Sequence, residues 1–227
     1  MKTSLIAIIS CLAAVALVAA DSSPKEDLAA AAKKLGDQAN YGWTTTVVVP
    51  ESAQFKPGPT EGKTEKDGFT YVTMSFGDNK TEIVTKGGKA AVTDQEGAWK
   101  LSSELENAEG PARFLSRIVK NMKTPAAQVA DLLDAAKELK KDGDSYVAEL
   151  TEEGAKKQFR FGQPKNAKGS VKFWIKDGLL SKFQVKLEGA IEFNGNEIDA
   201  ARTTTTQIKG AGETKVDAPS EAKKKLS

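Results

Sequence analysis

Alternation of apolar and polar residues marks most of the chain as strand. Over Tyr41–Val49, residues Tyr41, Trp43, Thr45, Val47 and Val49 share one face, and Gly42, Thr44, Thr46 and Val48 the other. Pro50 stops this strand. Phe69–Phe76, Lys80–Lys86, Lys89–Thr93 and Trp99–Leu101 follow, separated by Gly77-Asp78-Asn79, Gly87-Gly88 and Asp94-Gln95-Glu96-Gly97. Connections this short make antiparallel neighbours, because a parallel crossover needs a dozen residues or more. The period then changes. Phe114, Leu115, Ile118, Val119 and Met122 recur at helical spacing after Pro111. Val129, Leu132, Leu133, Ala136 and Leu139 do the same after Thr124-Pro125, with Thr124 as the cap. Strands resume at Ser145–Leu150, and Thr151 caps a brief helix to Gln158. Ser170–Lys176 and Leu179–Glu188 flank Asp177-Gly178, a strong hairpin signal. Val171, Phe173 and Ile175 face Phe183, Val185 and Leu187, while Lys172, Trp174, Lys176, Lys182, Gln184 and Lys186 occupy a solvated side. Ala190–Phe193, Thr203–Lys209 and a last strand at Glu213–Val216 complete the run, and Pro219 opens a helix over Ser220–Leu226.

The chain begins differently. After Lys2, an apolar run extends from Leu5 to Ala20, ending in the small residues Val18-Ala19-Ala20. This is the pattern of a secretory signal peptide over residues 1–20, cut after Ala20, which predicts a periplasmic or extracellular protein. Two alternatives stay open: an uncleaved anchor, and acylation at Cys11, which follows Ile8-Ile9-Ser10. Ser23-Pro24-Lys25-Glu26 is a capping box for an Ala-rich helix ending near Gly36, expected to pack lightly on the body. Prolines and glycines between Glu51 and Gly68 predict an exposed loop over 51–68. Neither run of strands alone has the apolar content of a core. Residues 21–227 are therefore expected to form a single α+β domain: one antiparallel sheet covered by the inserted helical pair and the N-terminal helix.

Composition narrows the chemistry. Among 227 residues there is no histidine and a single cysteine, which lies within the predicted signal. That excludes histidine-based triads and histidine-bearing zinc sites, and leaves the predicted mature chain without a disulfide. Thirty-three Lys plus Arg against 31 Asp plus Glu give a net charge of +2, which argues against nucleic acid as a partner. The carboxylate pairs Glu152-Glu153, Asp142/Asp144 and Glu197/Asp199 sit at turns or caps, where acidic residues serve structure. Ser220-Glu221-Ala222-Lys223 has the letters of a serine–lysine nucleophile but stands in a terminal helix expected to be solvated. We therefore expect no enzyme, no metal and no cofactor.

Apolar surface remains. Trp43, Tyr71 and Trp99 on strands, Phe173 in the hairpin, and Phe114, Ile118, Leu132 and Leu133 on the helical pair are the candidates for a hydrophobic pocket between sheet and lid. The alternative is that they fill an ordinary core. Trp174 stands apart on the lysine-rich face, as a contact residue or beneath the N-terminal helix.

The segment Val84-Thr85-Lys86-Gly87-Gly88-Lys89-Ala90-Ala91-Val92-Thr93-Asp94-Gln95-Glu96-Gly97-Ala98-Trp99 is similar to the paired hairpins, ending in an aromatic, of the LolA/LppX-like periplasmic lipoprotein-carrier superfamily. Val171-Lys172-Phe173-Trp174-Ile175-Lys176-Asp177-Gly178-Leu179-Leu180-Ser181-Lys182 resembles its tryptophan-bearing D-G-L hairpin, and Thr214-Lys215-Val216-Asp217-Ala218-Pro219 its closing strand and proline. The resemblance spans nearly the whole mature chain. It implies a strongly curved sheet, an incomplete barrel closed by helices, whose concave side holds acyl chains. It also implies lipid or acylated protein as the partner, with at most transient membrane contact; we expect a monomer. The strand arginine that ties down the lid in such carriers has no counterpart, and Trp43 and Thr44 stand near its place. Two readings follow: a carrier or sensor of a hydrophobic ligand, or a non-catalytic envelope module with a filled core.

Overall fold

The computed structural model describes residues 22–53, 56–77, 79–159, 164–193 and 195–227. The predicted signal peptide, its cleavage site and Cys11 lie outside the described residues.

Helix α1 (Pro24–Gly36) starts as its capping box dictates. The Glu26 amide donates to the Ser23 hydroxyl at 3.3 Å, and the Ser23 amide donates to the Glu26 carboxylate at 2.8 Å. The strands are β1 (Asn40–Val48), β2 (Thr60–Glu65), β3 (Thr70–Phe76), β4 (Asn79–Lys86), β5 (Lys89–Thr93) and β6 (Trp99–Leu101). A 3-10 turn at Ser102–Leu105 leads to α2 (Pro111–Lys120) and α3 (Pro125–Ala135). Then come β7 (Lys140–Asp142), β8 (Ser145–Glu149), α4 (Glu152–Gln158), β9 (Pro164–Lys176), β10 (Leu179–Phe193), β11 (Asn196–Asp199), β12 (Arg202–Lys209) and α5 (Ser220–Leu226).

All twelve strands belong to one sheet, in the order β6-β5-β4-β3-β2-β1-β12-β10-β9-β8-β7, with β11 paired to β10. Every pairing between strands is antiparallel. The sheet is not closed: β6 and β7 are its ends, so the molecule is an incomplete barrel. The longest hairpin, β9–β10, turns on Asp177 (φ 54°) and Gly178 (φ 71°), the left-handed pair that a two-residue hairpin requires. Register shifts at Leu180/Lys182 and Glu188/Ala190 bend β10.

Several expectations are corrected. The stretch 51–68 is not all loop: Thr60–Glu65 is β2, an interior strand between β1 and β3. Helix α3 stops at Ala135, leaving Leu139 outside it, because Ala136 turns to an extended conformation and bridges Leu150. Glu213–Val216 forms no strand; a turn at Gly210–Glu213 takes the chain off β12. Nor does α1 pack lightly. Leu28, Ala31, Ala32 and Leu35 are buried, and the helix lies against α3 and β10. Alanine at two of these four positions lets the helix backbone come close, and the two leucines supply the apolar area. Helix α5 is not simply solvated: Ala222 and Leu226 are buried against the sheet.

Candidate functional site

The inner face of the sheet is built by strand alternation. Tyr41 and Trp43 on β1, Val72 on β3, Ile83 on β4, Val92 on β5, and the register-matched pairs Phe173–Phe183 and Val171–Val185 on β9 and β10 all point inward. Tyr41 and Trp43 lie with ring centroids 5.9 Å apart, and Phe173 and Phe183 lie 6.5 Å apart. Above them sit Leu28 and Leu35 of α1, Leu115, Ile118 and Val119 of α2, and Val129, Leu132 and Leu133 of α3. The helical pair thus roofs the inner face, and α1 flanks it.

The polar links at this roof are few. Burial raises the Tyr41 phenol above its usual range, while Thr124 and the Ala126 amide, at the start of α3, hydrogen-bond its oxygen and oppose the shift. Tyr146 donates to Asp27 of α1 at 3.2 Å; burial, then the Asp27 charge, raises its phenol as well. Lys25 of α1 meets Asp134 of α3 at 3.4 Å, both well exposed. Helix α2 starts at Gly110 with no side-chain cap, and Thr124, the cap position of α3, makes no capping hydrogen bond.

The eight pocket candidates divide three ways. Trp43, Ile118, Leu132, Leu133 and Phe173 come together in the inner cluster. Tyr71 and Trp99 do not join them. They lie on the outer face with Val84, Ala91 and Leu101, beneath Ala218, Ala222 and Leu226 of the C-terminal segment. Alternation forces this: Val72 and Ile83 point inward, so Tyr71 and Val84, paired in register, point outward. Phe114 is 38% exposed on α2 and belongs to neither buried cluster.

At its centre the inner face is filled. Phe173, Ile83, Val92 and Val129 have 0% of their surface accessible, so no water-sized space adjoins them. Two depressions stand out among the described residues, both open to solvent. One of about 320 Å³ lies between α1 and α3 and touches Leu133. The other, of about 540 Å³, lies on the outer face beside β8, β9 and β10. Neither is bordered by Trp43, Phe173, Ile118 or Leu132.

Carboxylates do not converge. Glu152 and Glu153 each pair with the lysine four residues on, at 2.6 and 2.7 Å, and those hydrogen bonds hold both below the usual carboxylate range. Asp142 faces Lys172, Glu197 faces Lys165, and Asp199 accepts from the Ala201 amide. No group of three or more potential metal ligands occurs among the described residues.

Sequence reasoning passed over a charged residue on the inner face. Arg202 stands on β12 opposite Leu187; its guanidinium donates to the Gln158 carbonyl at 2.6 Å and lies 4.9 Å from the Phe159 ring centroid. A strand arginine therefore does hold down a helix end, but that of α4 rather than of the α2–α3 pair. Starting the strand at Thr203 left Arg202 outside the pattern that would have marked it.

No protein-family model matches the chain, and no curated protein matches it in sequence. Solved structures do match in shape. Lipoprotein LppX of Mycobacterium tuberculosis aligns over 86% of this chain and 97% of its own, at 10% identity and a TM-score of 0.51. LprF of Mycobacterium bovis aligns over 88% of this chain and 100% of its own, at 12% identity and a TM-score of 0.47. The chain has the LolA/LppX-like fold that its hairpin motifs resemble. At this identity the likeness is one of fold.

Proposed function

We propose that this protein is a secreted or periplasmic carrier of a hydrophobic ligand, a lipid or a protein-linked acyl chain, held between the sheet and the α2–α3 pair. The observation that carries the reading is an apolar inner sheet face roofed by two amphipathic helices, in a fold resembling that of lipoprotein carriers. Because the centre is filled, uptake needs the roof to move. Helix α2 is the part suited to moving. It packs chiefly on the 3-10 turn and β5, carries the exposed Phe114, and leaves Leu115, Ile118 and Val119 6–9% exposed, whereas Val129, Leu132 and Leu133 of α3 are 0–3% exposed. Ligand would take the place of Leu115 and Ile118 over the sheet, exchanging one apolar contact for another.

The filled centre also favours a second reading, a non-catalytic envelope module whose interior is simply its core. Native mass spectrometry with lipid extraction, on residues 21–227 recovered from a bacterial periplasm, separates the two. The carrier reading expects co-purifying lipid and uptake of a fluorescent fatty acid, both reduced in Ile118→Ser. A clean apo mass with no uptake assigns the module.

A further inference from the structure

The outer face of β9 and β10 has a composition that packing does not require. Lys168, Lys172 and Lys176 on β9, and Lys182 and Lys186 on β10, share this face; Glu188 lies among them, and Glu192 stands at the far end of β10, where it meets Lys165 at 3.4 Å. The chain as a whole is nearly neutral at +2, so the bias is local. Trp174 stands in the middle. The Lys182 ammonium lies 3.7 Å from the centroid of its ring and that of Lys172 lies 5.4 Å away. Helix α1 lies on the opposite, inner side of β9 and β10, where Leu28 and Leu35 belong to the same cluster as Phe173 and Phe183.

Two of the lysines have carboxylate partners, Lys172 with Asp142 at 3.2 Å and Lys186 with Glu188 at 2.7 Å. All four groups are more than a third exposed, so water and salt screen these pairs and an external anion can compete for them. Lys168, Lys176 and Lys182 have no carboxylate within ion-pair distance among the described residues. The open depression of about 540 Å³ adjoins this face; four lysines line it, Lys137, Lys140, Lys172 and Lys186, against two carboxylates, Glu149 and Glu138, the latter 3.3 Å from Lys140 and, like it, well exposed.

We propose that this face docks on the anionic lipid surface of a membrane. Charge complementarity identifies the occupant. The lysines spread over two strands and the β7–β8 edge rather than along one track, which fits a plane of headgroups better than a single polyanionic chain. Tryptophan among cations suits the headgroup level. Docking this way turns α2 and α3 away from the bilayer and leaves them free. The proposal does not rest on acyl uptake by the inner face.

The test is co-sedimentation of residues 21–227 with vesicles of mixed phosphatidylglycerol and phosphatidylcholine, and of phosphatidylcholine alone, at low and physiological salt. Binding is expected only with phosphatidylglycerol and should weaken with salt. Each lysine removed should weaken partitioning about fivefold, so K172Q/K182Q/K186Q should lose on the order of a hundredfold. A control triple, K223Q/K224Q/K225Q, changes the net charge equally and should bind much as the parent does. Circular dichroism and thermal melting establish that both variants fold, and fatty-acid uptake by K172Q/K182Q/K186Q should match the parent's. The proposal is overturned by absent vesicle binding, by equal binding to phosphatidylcholine, or by an equal loss in the control triple. Binding to soluble polyglutamate but not to vesicles also overturns it and assigns the face to a polymer.

Discussion

At the residue scale, Gly62 shows how one missing side chain seats another. It pairs with Trp43 in the β1–β2 register, and a methyl group added there would fall inside the Trp43 indole. The glycine that reads as a loop signal is therefore the floor on which the tryptophan lies. Gly62→Ala must displace the indole or part the strands, and should cost about 1–3 kcal/mol or more, measured by urea unfolding. An unchanged midpoint would mean that Trp43 moves without cost. Tyr41, two residues earlier, gives a pH signature. Its folded pKa is raised, chiefly by burial, from the reference value of 10.0. Below that value both states hold a neutral phenol. Above it the unfolded chain ionises first, so stability is lost as pH rises toward the folded value. Melting temperatures from about pH 9 to about pH 11 should fall, and Tyr41→Phe should flatten that fall. Tyr71 and Tyr146, raised likewise, keep some slope in the variant.

At the element scale, what was legible followed local rules, and what was missed followed tertiary ones. The Ser23 capping box, the Asp177-Gly178 turn, Lys89–Thr93 and Ser220–Leu226 are set by their own residues, and the structure has them where the pattern puts them. Strand β2, TEGKTE, has no apolar residue; it is a strand because β1 and β3 supply backbone partners on both sides. The candidate site was half legible for the same reason. Period two tells which residues share a face, but not which face a helix covers. Tyr71 and Trp99 were thus grouped with Trp43, although α5 covers them from the other side. The two roof helices should also differ. Leu132→Ala on α3 removes a side chain 2% exposed and should cost about 2–5 kcal/mol. Phe114→Ala on α2 should cost about 1 kcal/mol or less. Amide hydrogen exchange should open α2 before α3. The reverse order would move the mobile part of the roof to α3 and undo the proposed route of entry.

At the scale of the whole molecule, one sheet separates two apolar clusters. The inner one lies under α1, α2 and α3; the outer one joins Val84, Ala91 and Trp99 to Ala218, Ala222 and Leu226. The side chains of the two clusters point to opposite faces, so changing one leaves the packing of the other in place. The outer cluster is held by a segment that can be cut away. Deleting residues 219–227 removes the buried Ala222 and Leu226 and should cost about 2–4 kcal/mol of stability. Trp99 and Tyr71 would then face water, read as a red-shifted tryptophan emission and as binding of a hydrophobic dye. Fatty-acid uptake, if it belongs to the inner face, should survive at temperatures where the shortened chain stays folded. The opposite result, a folded truncation that no longer takes up fatty acid, would move the ligand to the outer cluster and make α5 its cover. The deletion thus tests which side of the sheet serves the ligand, because alternation lets no residue of a strand serve both.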